Sequence, residues 1–419
     1  MVPKPEQSIS LHTGDLTVPK QLLVRSPRGG NKPTNLLYET SIFDVRLDLP
    51  PASDIEVRDG LRMYSLPTAL IACAPSQYLA RPFALRAALA MIRDASEVLN
   101  RLLEGGHSKV AGRLAGAFRN IGRNQIADNI VETMKAAGYT VQETDPFEDR
   151  SPVQFSSRET SPYINRLRMS WSTMRAEILK ILPPPPGIER DINACLKRID
   201  EIYAADAYNS LSIEGYKVSA DLIERVRSGN WNPDSIKGDR DHRDALAARG
   251  YWQAFQTVKN SVEKVLRGSN AGVVADQDHA TWYRELFGPS ITAGILKPSD
   301  LAGYRNGPVF IRRSMHVPPS KEAVRELMPA FFELLEKETE PAVRVVLGHF
   351  IFVYIHPYLD GNGRMGRFLM NVMMVSGGYP WTIIPLERRA DYMAALEAAS
   401  VNQDIKPFAR FLSGLLGRT

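Results

Sequence analysis

Residues 356–367 read His-Pro-Tyr-Leu-Asp-Gly-Asn-Gly-Arg-Met-Gly-Arg, and this one stretch dictates two helix ends. Val343, Val346, Leu347, Phe350 and Tyr354 form an apolar stripe at helical spacing just before it. Pro357 disfavours helical backbone in the residue that precedes it, so that helix must stop near Ile355. A second helix is predicted to open near Arg364 and run to Ser376, where Gly377, Gly378 and Pro380 are stop signals. Gly361-Asn362-Gly363 therefore sits in a turn that opens onto a helix N-terminus.

The rest of the C-terminal part also reads as helical. Ile192, Leu196, Ile199 and Tyr203 repeat at intervals of four, three and four. One interruption is Pro308–Pro319, where β-branched and aromatic residues between prolines predict a short strand or hairpin. Upstream, Pro183 to Pro186 form a stiff spacer, and the polar stretch 145–162 with three prolines reads as a linker. Residues 1–144 are mixed. SPRGGNKP at 26–33 predicts an exposed turn, Leu36–Leu49 and Leu61–Ser65 predict strands, and helical runs begin at Pro82, Ser108 and Gln125. Gly105-Gly106 and Gly138 punctuate those runs.

Composition removes several classes. Of 419 residues, 44% are hydrophobic and 24% charged, which excludes wholesale disorder. The two cysteines, Cys73 and Cys195, are far apart and make neither a disulfide scaffold nor a structural zinc site; they fit a reducing compartment. The longest apolar runs fall well short of the roughly 18 residues of a spanning helix, and MVPKPEQSISLHTGDL has no apolar core for a secretory signal. The expectation is a cytoplasmic protein without membrane contact. The net charge of +5 is too mild for a dedicated nucleic-acid binder. The imbalance is local: Arg101, Lys109, Arg113, Arg119 and Arg123 stand against only Glu104 in residues 101–127.

Chemistry concentrates in residues 356–367. Free N–H groups and the positive dipole end of a helix attract anions, and glycines let a phosphate come close. Around that turn stand a base (His356), a hard-metal ligand (Asp360), an amide (Asn362) and two guanidinium forks (Arg364, Arg367). These are the parts that phosphate-bond chemistry on a nucleotide requires. A Gly-rich turn between helices is common by itself; five functional side chains within twelve positions set this one apart. There is no GxxxxGK[ST] loop and no HExxH.

The segment resembles the HPFxDGNGRxxR signature of Fic-domain proteins, with Tyr358 for the usual Phe. YRNGPVFIRRSMHVPPS (304–320) resembles that family's β-hairpin flap, RADYMAALEAA (389–399) its RxxYYxxLexA segment, and KPFARFL (406–412) its closing helix. The resemblance covers 163–419. It implies a mainly α fold: an all-helical Fic domain with a short β-hairpin flap, preceded by a smaller mixed α/β N-terminal domain. The expected divisions are an accessory domain over 1–144, a linker over 145–162, a helical region over 163–290 and a catalytic core over 291–419.

The implied activity is transfer of AMP from ATP to a Ser, Thr or Tyr hydroxyl of a protein, the chain itself included. In that scheme His356 takes the hydroxyl proton and Asp360 holds Mg²⁺. Gly361, Asn362 and Gly363 hold phosphate oxygens, Arg364 and Arg367 neutralise the β- and γ-phosphates, and Tyr392 contacts the nucleotide. The flap residues Val309, Phe310, Ile311, Arg312, Arg313, Ser314 and Met315 would dock an extended target segment. A kinase-like branch, Doc, has Lys after the Asn; Gly363 points to AMP transfer instead.

Ser210-Leu-Ser-Ile-Glu214-Gly215 is a second constellation. Ser210 and Glu214 share a helix face, and Glu214 meets the negative end of the helix dipole, against its local preference. The segment resembles the family's inhibitory motif, (S/T)xxxE(G/N), whose Glu pairs with the second arginine of the signature, here Arg367. Removal of AMP from a modified protein, with Glu214 positioning water, is the alternative chemistry. The N-terminal third faintly resembles AbiEi-type antitoxin/regulator domains, which leaves open a regulator with a nucleotide-sensing Fic domain and contact between the 109–123 basic residues and DNA. A homodimer is also left open.

Overall fold

The structure is a computed structural model that describes residues 1–58, 60–149, 151, 161–230, 243–296 and 303–417. It divides into two compact units, Met1–Thr173 and Met174–Thr419. The expected linker falls largely outside the described residues.

The first unit is mixed α/β. Strands β1 (Val2–Pro3), β2 (Gln21–Ser26), β3 (Pro33–Asn35) and β4 (Ser41–Arg46) form one sheet in the order β1-β2-β4-β3, with helix α1 (Pro5–His12) between β1 and β2. The β2–β4 pair is parallel, with Val24 opposite Asp44, and the other two pairs are antiparallel. β5 (Ile55–Arg58) and β6 (Leu61–Tyr64) make a separate antiparallel pair. Six helices follow: α2 (Leu66–Ala72), α3 (Ser76–Ala80), α4 (Pro82–Met91), α5 (Ser96–Glu104), α6 (Ser108–Asn120) and α7 (Asn124–Ala136). Their apolar faces close over Leu70, Tyr78, Leu85, Leu89, Leu114, Phe118 and Ile130.

Two details depart from the sequence reading of this unit. The run that begins at Pro82 is two helices, because Asp94 accepts from the Ser96 N–H (2.7 Å) and offers the backbone a turn in place of a helical bond. The strand expected at Leu36–Leu49 shrinks to Ser41–Arg46, with Tyr38 and Glu39 in left-handed conformation.

The basic residues of 101–123 are mostly engaged within the unit. Arg101 pairs with Asp54 and Glu104, and Arg119 with Asp128 and Glu143. Arg123 is buried and donates to the carbonyls of Ala90, Ile92 and Arg93.

Helix α8 (Pro162–Ile178) leads into the second unit, which is helical: α9 (Ile192–Ile213), α10 (Ala220–Arg227), α11 (Arg243–Leu266), α12 (Ala271–Thr292), α13 (Lys321–Lys337), α14 (Pro341–Ile355), α15 (Asn362–Ser376), α16 (Arg389–Asn402) and α17 (Lys406–Leu416). Helix α9 starts where the Asp191 side chain accepts from the Ala194 N–H (2.9 Å) and stops at Gly215, φ +89°. Helix α14 is apolar on nearly every side, and α15, which also carries buried Arg364, Arg367 and Asn371, packs against it. Helix α15 begins at Asn362, two residues earlier than expected.

The stretch Pro308–Pro319 is not a paired hairpin: among its described residues there is no strand, only an extended segment with a turn at Arg312–Arg313. Three of its residues, Pro308, Pro318 and Pro319, have no N–H to give a ladder. Other N–H groups are satisfied elsewhere, that of Met315 by Glu397 and that of His316 by Ser314. Among the described residues no helix is long and apolar enough to cross a membrane.

Candidate active site

His356 caps the C-terminus of α14 in left-handed conformation, φ +53°, its N–H bonded to the Phe352 carbonyl at 3.0 Å. Its ring Nδ1 lies 3.2 Å from the Val353 carbonyl. A carbonyl can only accept, so Nδ1 carries the proton and Nε2 keeps its lone pair. Burial lowers the His356 pKa, which favours the neutral ring. The loop after it is held by Arg305, a buried residue whose Nε donates to the His356 carbonyl (2.8 Å) and whose N–H donates to the Pro357 carbonyl (2.9 Å). The same guanidinium reaches the carbonyls of Gly307 and Pro319 and so ties the loop to the flap segment.

The turn at 358–363 is closed by Asn362, whose Oδ1 accepts from the Tyr358 N–H and whose Nδ2 donates to the Tyr358 carbonyl, both at 2.9 Å. Its amide thus shapes the turn. Gly361 takes φ +81° as the residue before α15, which a side chain would resist. In the first turn of α15, the N–H groups of Asn362, Gly363 and Arg364 have no helical acceptor. Asp360, largely exposed, accepts the Gly361 N–H at 2.7 Å and receives Arg364 at 3.4 Å. Arg364 is 1% exposed, its guanidinium 5.0 Å from the ring centroids of both Tyr216 and Phe287.

One turn further along α15, Arg367 meets α9. Its Nε donates to Ser210 Oγ (2.8 Å), and one Nη donates to the Ser210 carbonyl (3.0 Å) and to Glu214 Oε1 (2.7 Å). Burial works to raise the Glu214 pKa, but Arg367 and then Arg364 outweigh it and hold the carboxyl below its usual range. For Arg367 burial is likewise opposed, by Glu214, and its pKa rises. The two are an ionised, charge-assisted pair. Gly363 permits the approach, since a Cβ there would lie 2.2 Å from Glu214 Oε1.

His356, Gly363, Arg367 and Glu214 line one cavity of about 620 Å³, together with Arg389, Tyr392 and the flap residues Ile311 to Ser314. The Tyr392 hydroxyl is bonded to buried His349 at 2.7 Å, and burial drives the pKa of Tyr392 up to about 12 and that of His349 down to about 4. The flap is anchored by Glu397, which accepts from Ser314 Oγ (2.5 Å) and from the Met315 N–H (2.8 Å). Val309 is half-buried and Phe310 is 78% exposed.

Three contributors escaped the sequence reading: Arg305, Glu397 and Asp206. Asp206 lies on α9 one turn before Ser210, is buried, and accepts from the Tyr251 hydroxyl at 2.6 Å; burial raises its pKa. Asp206, Ser210 and Glu214 are spaced by four, so a polar stripe on a buried helix face was the signal available for it.

The model of the Fic/DOC family matches residues 279–374. A protein adenylyltransferase Fic of Nematostella vectensis is 41% identical over 227 residues, which cover 53% of this chain and 49% of the relative. One of Drosophila willistoni is 28% identical over 234 residues, covering 55% and 43%. The chain thus spans about half the length of the curated relatives it matches, or less. Among solved structures, C. elegans Fic-1 (residues 134–508) superposes with a TM-score of 0.44 at 18% identity, covering 81% of this chain and 96% of that one. A Fic-domain signalling protein of Bacteroides thetaiotaomicron gives 0.43 at 19% identity, covering 59% and 94%. The His356 turn, the two arginines and the matched segment coincide: this chain carries a Fic/DOC-family domain.

Proposed function

We propose that the chain is a protein adenylyltransferase that moves AMP from ATP to a Ser, Thr or Tyr hydroxyl of a protein, and that Glu214 holds it inhibited. The observation that carries this reading is the joint placement of His356 and Arg367 in one cavity. The first has a free Nε2, and the second has its guanidinium occupied by Glu214. In the proposed reaction Nε2 takes the proton of the acceptor hydroxyl as its oxygen attacks the α-phosphorus. The bond from the α-phosphorus to the bridging oxygen breaks, and pyrophosphate leaves. Arg364 and Arg367 balance the charge of the β- and γ-phosphates, and the first-turn N–H groups of α15 face phosphate oxygens.

Among the described residues no group of three or more His, Cys, Asp or Glu could hold a metal alone. Asp360, an exposed carboxylate beside the turn, fits Mg²⁺ in the manner of a site completed by substrate phosphates. When bound, Mg²⁺ would draw charge from the phosphate oxygens. The names of the curated relatives support transfer of AMP, and the two free, buried cysteines fit a reducing, cytoplasmic setting.

Purified chain with Mg²⁺ and ATP labelled at the α-phosphate tests the proposal. Glu214→Gly is expected to become labelled, and Glu214→Gly with His356→Ala to bind ATP yet stay unlabelled. Label in the double variant would overturn the role of His356. Glu214 lies in the same cavity as His356, where a carboxylate can also position water for removal of AMP; release of AMP from labelled protein by the wild type, and not by Glu214→Gly, would favour that reading.

A further inference from the structure

The flap turn carries two arginines that the site chemistry does not use. The Ser314 N–H bonds the Ile311 carbonyl at 3.1 Å, which makes Arg312 and Arg313 the central residues of a tight turn. Arg313 is left-handed, φ +64°, at the turn position where glycine or asparagine is the ordinary occupant. A long cationic side chain held there against backbone preference calls for a use of the side chain itself.

The other cations of this cavity are engaged. Arg367 is paired with Glu214 and Ser210, and Arg389 donates to the Ile213 carbonyl at 2.8 Å. Arg312 and Arg313 are exposed, and among the described residues neither has an ion-pair or hydrogen-bond partner. Both line the cavity that holds His356. The carboxylate nearest in role, Glu397, is taken by Ser314 and Met315. It therefore fixes the turn and leaves the two guanidiniums unneutralised.

We infer that the Arg312–Arg313 turn selects acceptor segments with Asp or Glu beside the hydroxyl that receives AMP. This rests on the proposed AMP transfer and adds the chemical class of its protein substrate. A target strand laid along the flap brings the residues next to its hydroxyl close to these guanidiniums. Carboxylates there make charge-assisted, bidentate contacts, whereas lysines there are repelled.

The test uses the full chain as Glu214→Gly, with Mg²⁺, α-labelled ATP and three matched peptides per acceptor type. The residues flanking the hydroxyl are Glu, Gln or Lys. The Glu peptide is expected to be labelled with a kcat/KM at least about tenfold above the Gln peptide, chiefly through KM for peptide. Raising salt from about 0.05 to 0.3 M should shrink that ratio. Arg312→Glu with Arg313→Glu should turn the preference toward the Lys peptide. The inference is overturned if the chain labels itself but treats the three peptides alike or labels none, which leaves AMP transfer standing. It is equally overturned if the double substitution lowers all peptides together, or raises KM for ATP instead, since the arginines then serve the flap's shape or the triphosphate. A chain that labels neither itself nor any peptide removes the proposed activity and this inference together.

Discussion

His356 combines two properties that neighbouring groups impose: a tautomer set by the Val353 carbonyl and a pKa lowered by burial. A base with a lowered pKa stays neutral to lower pH than a free imidazole, whose value is about 6.5. The kcat/KM of Glu214→Gly should therefore fall with decreasing pH through an inflection below about 6.5; an inflection at or above 6.5 would contradict the buried ring. His349 makes a prediction about stability. Its folded pKa is about 4, so between about 6.5 and 4 the unfolded chain binds a proton that the native one refuses. Its contribution is complete above that window, falls as pH falls through it, and levels off below 4, a total of about 3 kcal/mol. Urea unfolding at pH 7 and pH 4.5 should show a smaller pH loss for His349→Gln than for wild type. Equal losses would rule out this histidine as the cause.

At the scale of elements, α9 and α15 are joined at Arg367. A carboxylate in the last turn of α9 gains nothing from the helix dipole, so its ionised state depends on the arginines. Labelling should rise at least about tenfold in Glu214→Gly, and Ser210→Ala should raise it less, because Ser210 adds a neutral hydrogen bond where Glu214 adds a charge. Arg367→Ala combined with Glu214→Gly should cancel the gain; a gain that survives would mean Glu214 acts elsewhere. Helix α16 presents a second coupling, Glu397 to the flap. Glu397→Ala removes both acceptors that hold Ser314 and Met315. KM for a peptide acceptor should then rise several-fold while the Kd for ATP is unchanged; an altered ATP affinity alone would argue against a tether.

At the scale of the whole molecule, the N-terminal core is built from residues between Val2 and Met169, a self-contained apolar cluster. The groups proposed to carry the reaction all lie in the second unit. A fragment beginning at Pro162, which keeps α8 whole, should fold and, as Glu214→Gly, label itself. The intact chain should melt in two transitions by calorimetry. A fragment that is folded and binds ATP but transfers nothing would give residues 1–161 a part in the reaction.

Local rules were enough for much of this. Pro357 stops α14 at Ile355, glycine opens the turn at 361–363, Gly215 ends α9, and residues four apart share a face, so Ser210 with Glu214 and the His356 turn were legible from the chain itself. These preferences act through torsions and helical spacing over a few residues. Tertiary structure decided the rest. The flap's composition favoured a hairpin, yet Glu397, over eighty residues away, took its N–H. The buried Arg305 serves carbonyls fifty residues on, and the basic run at 101–123 spends most of its charge on partners within its own unit. A buried polar group must find a partner wherever the fold brings one, and no local torsional preference encodes which distant residue that will be.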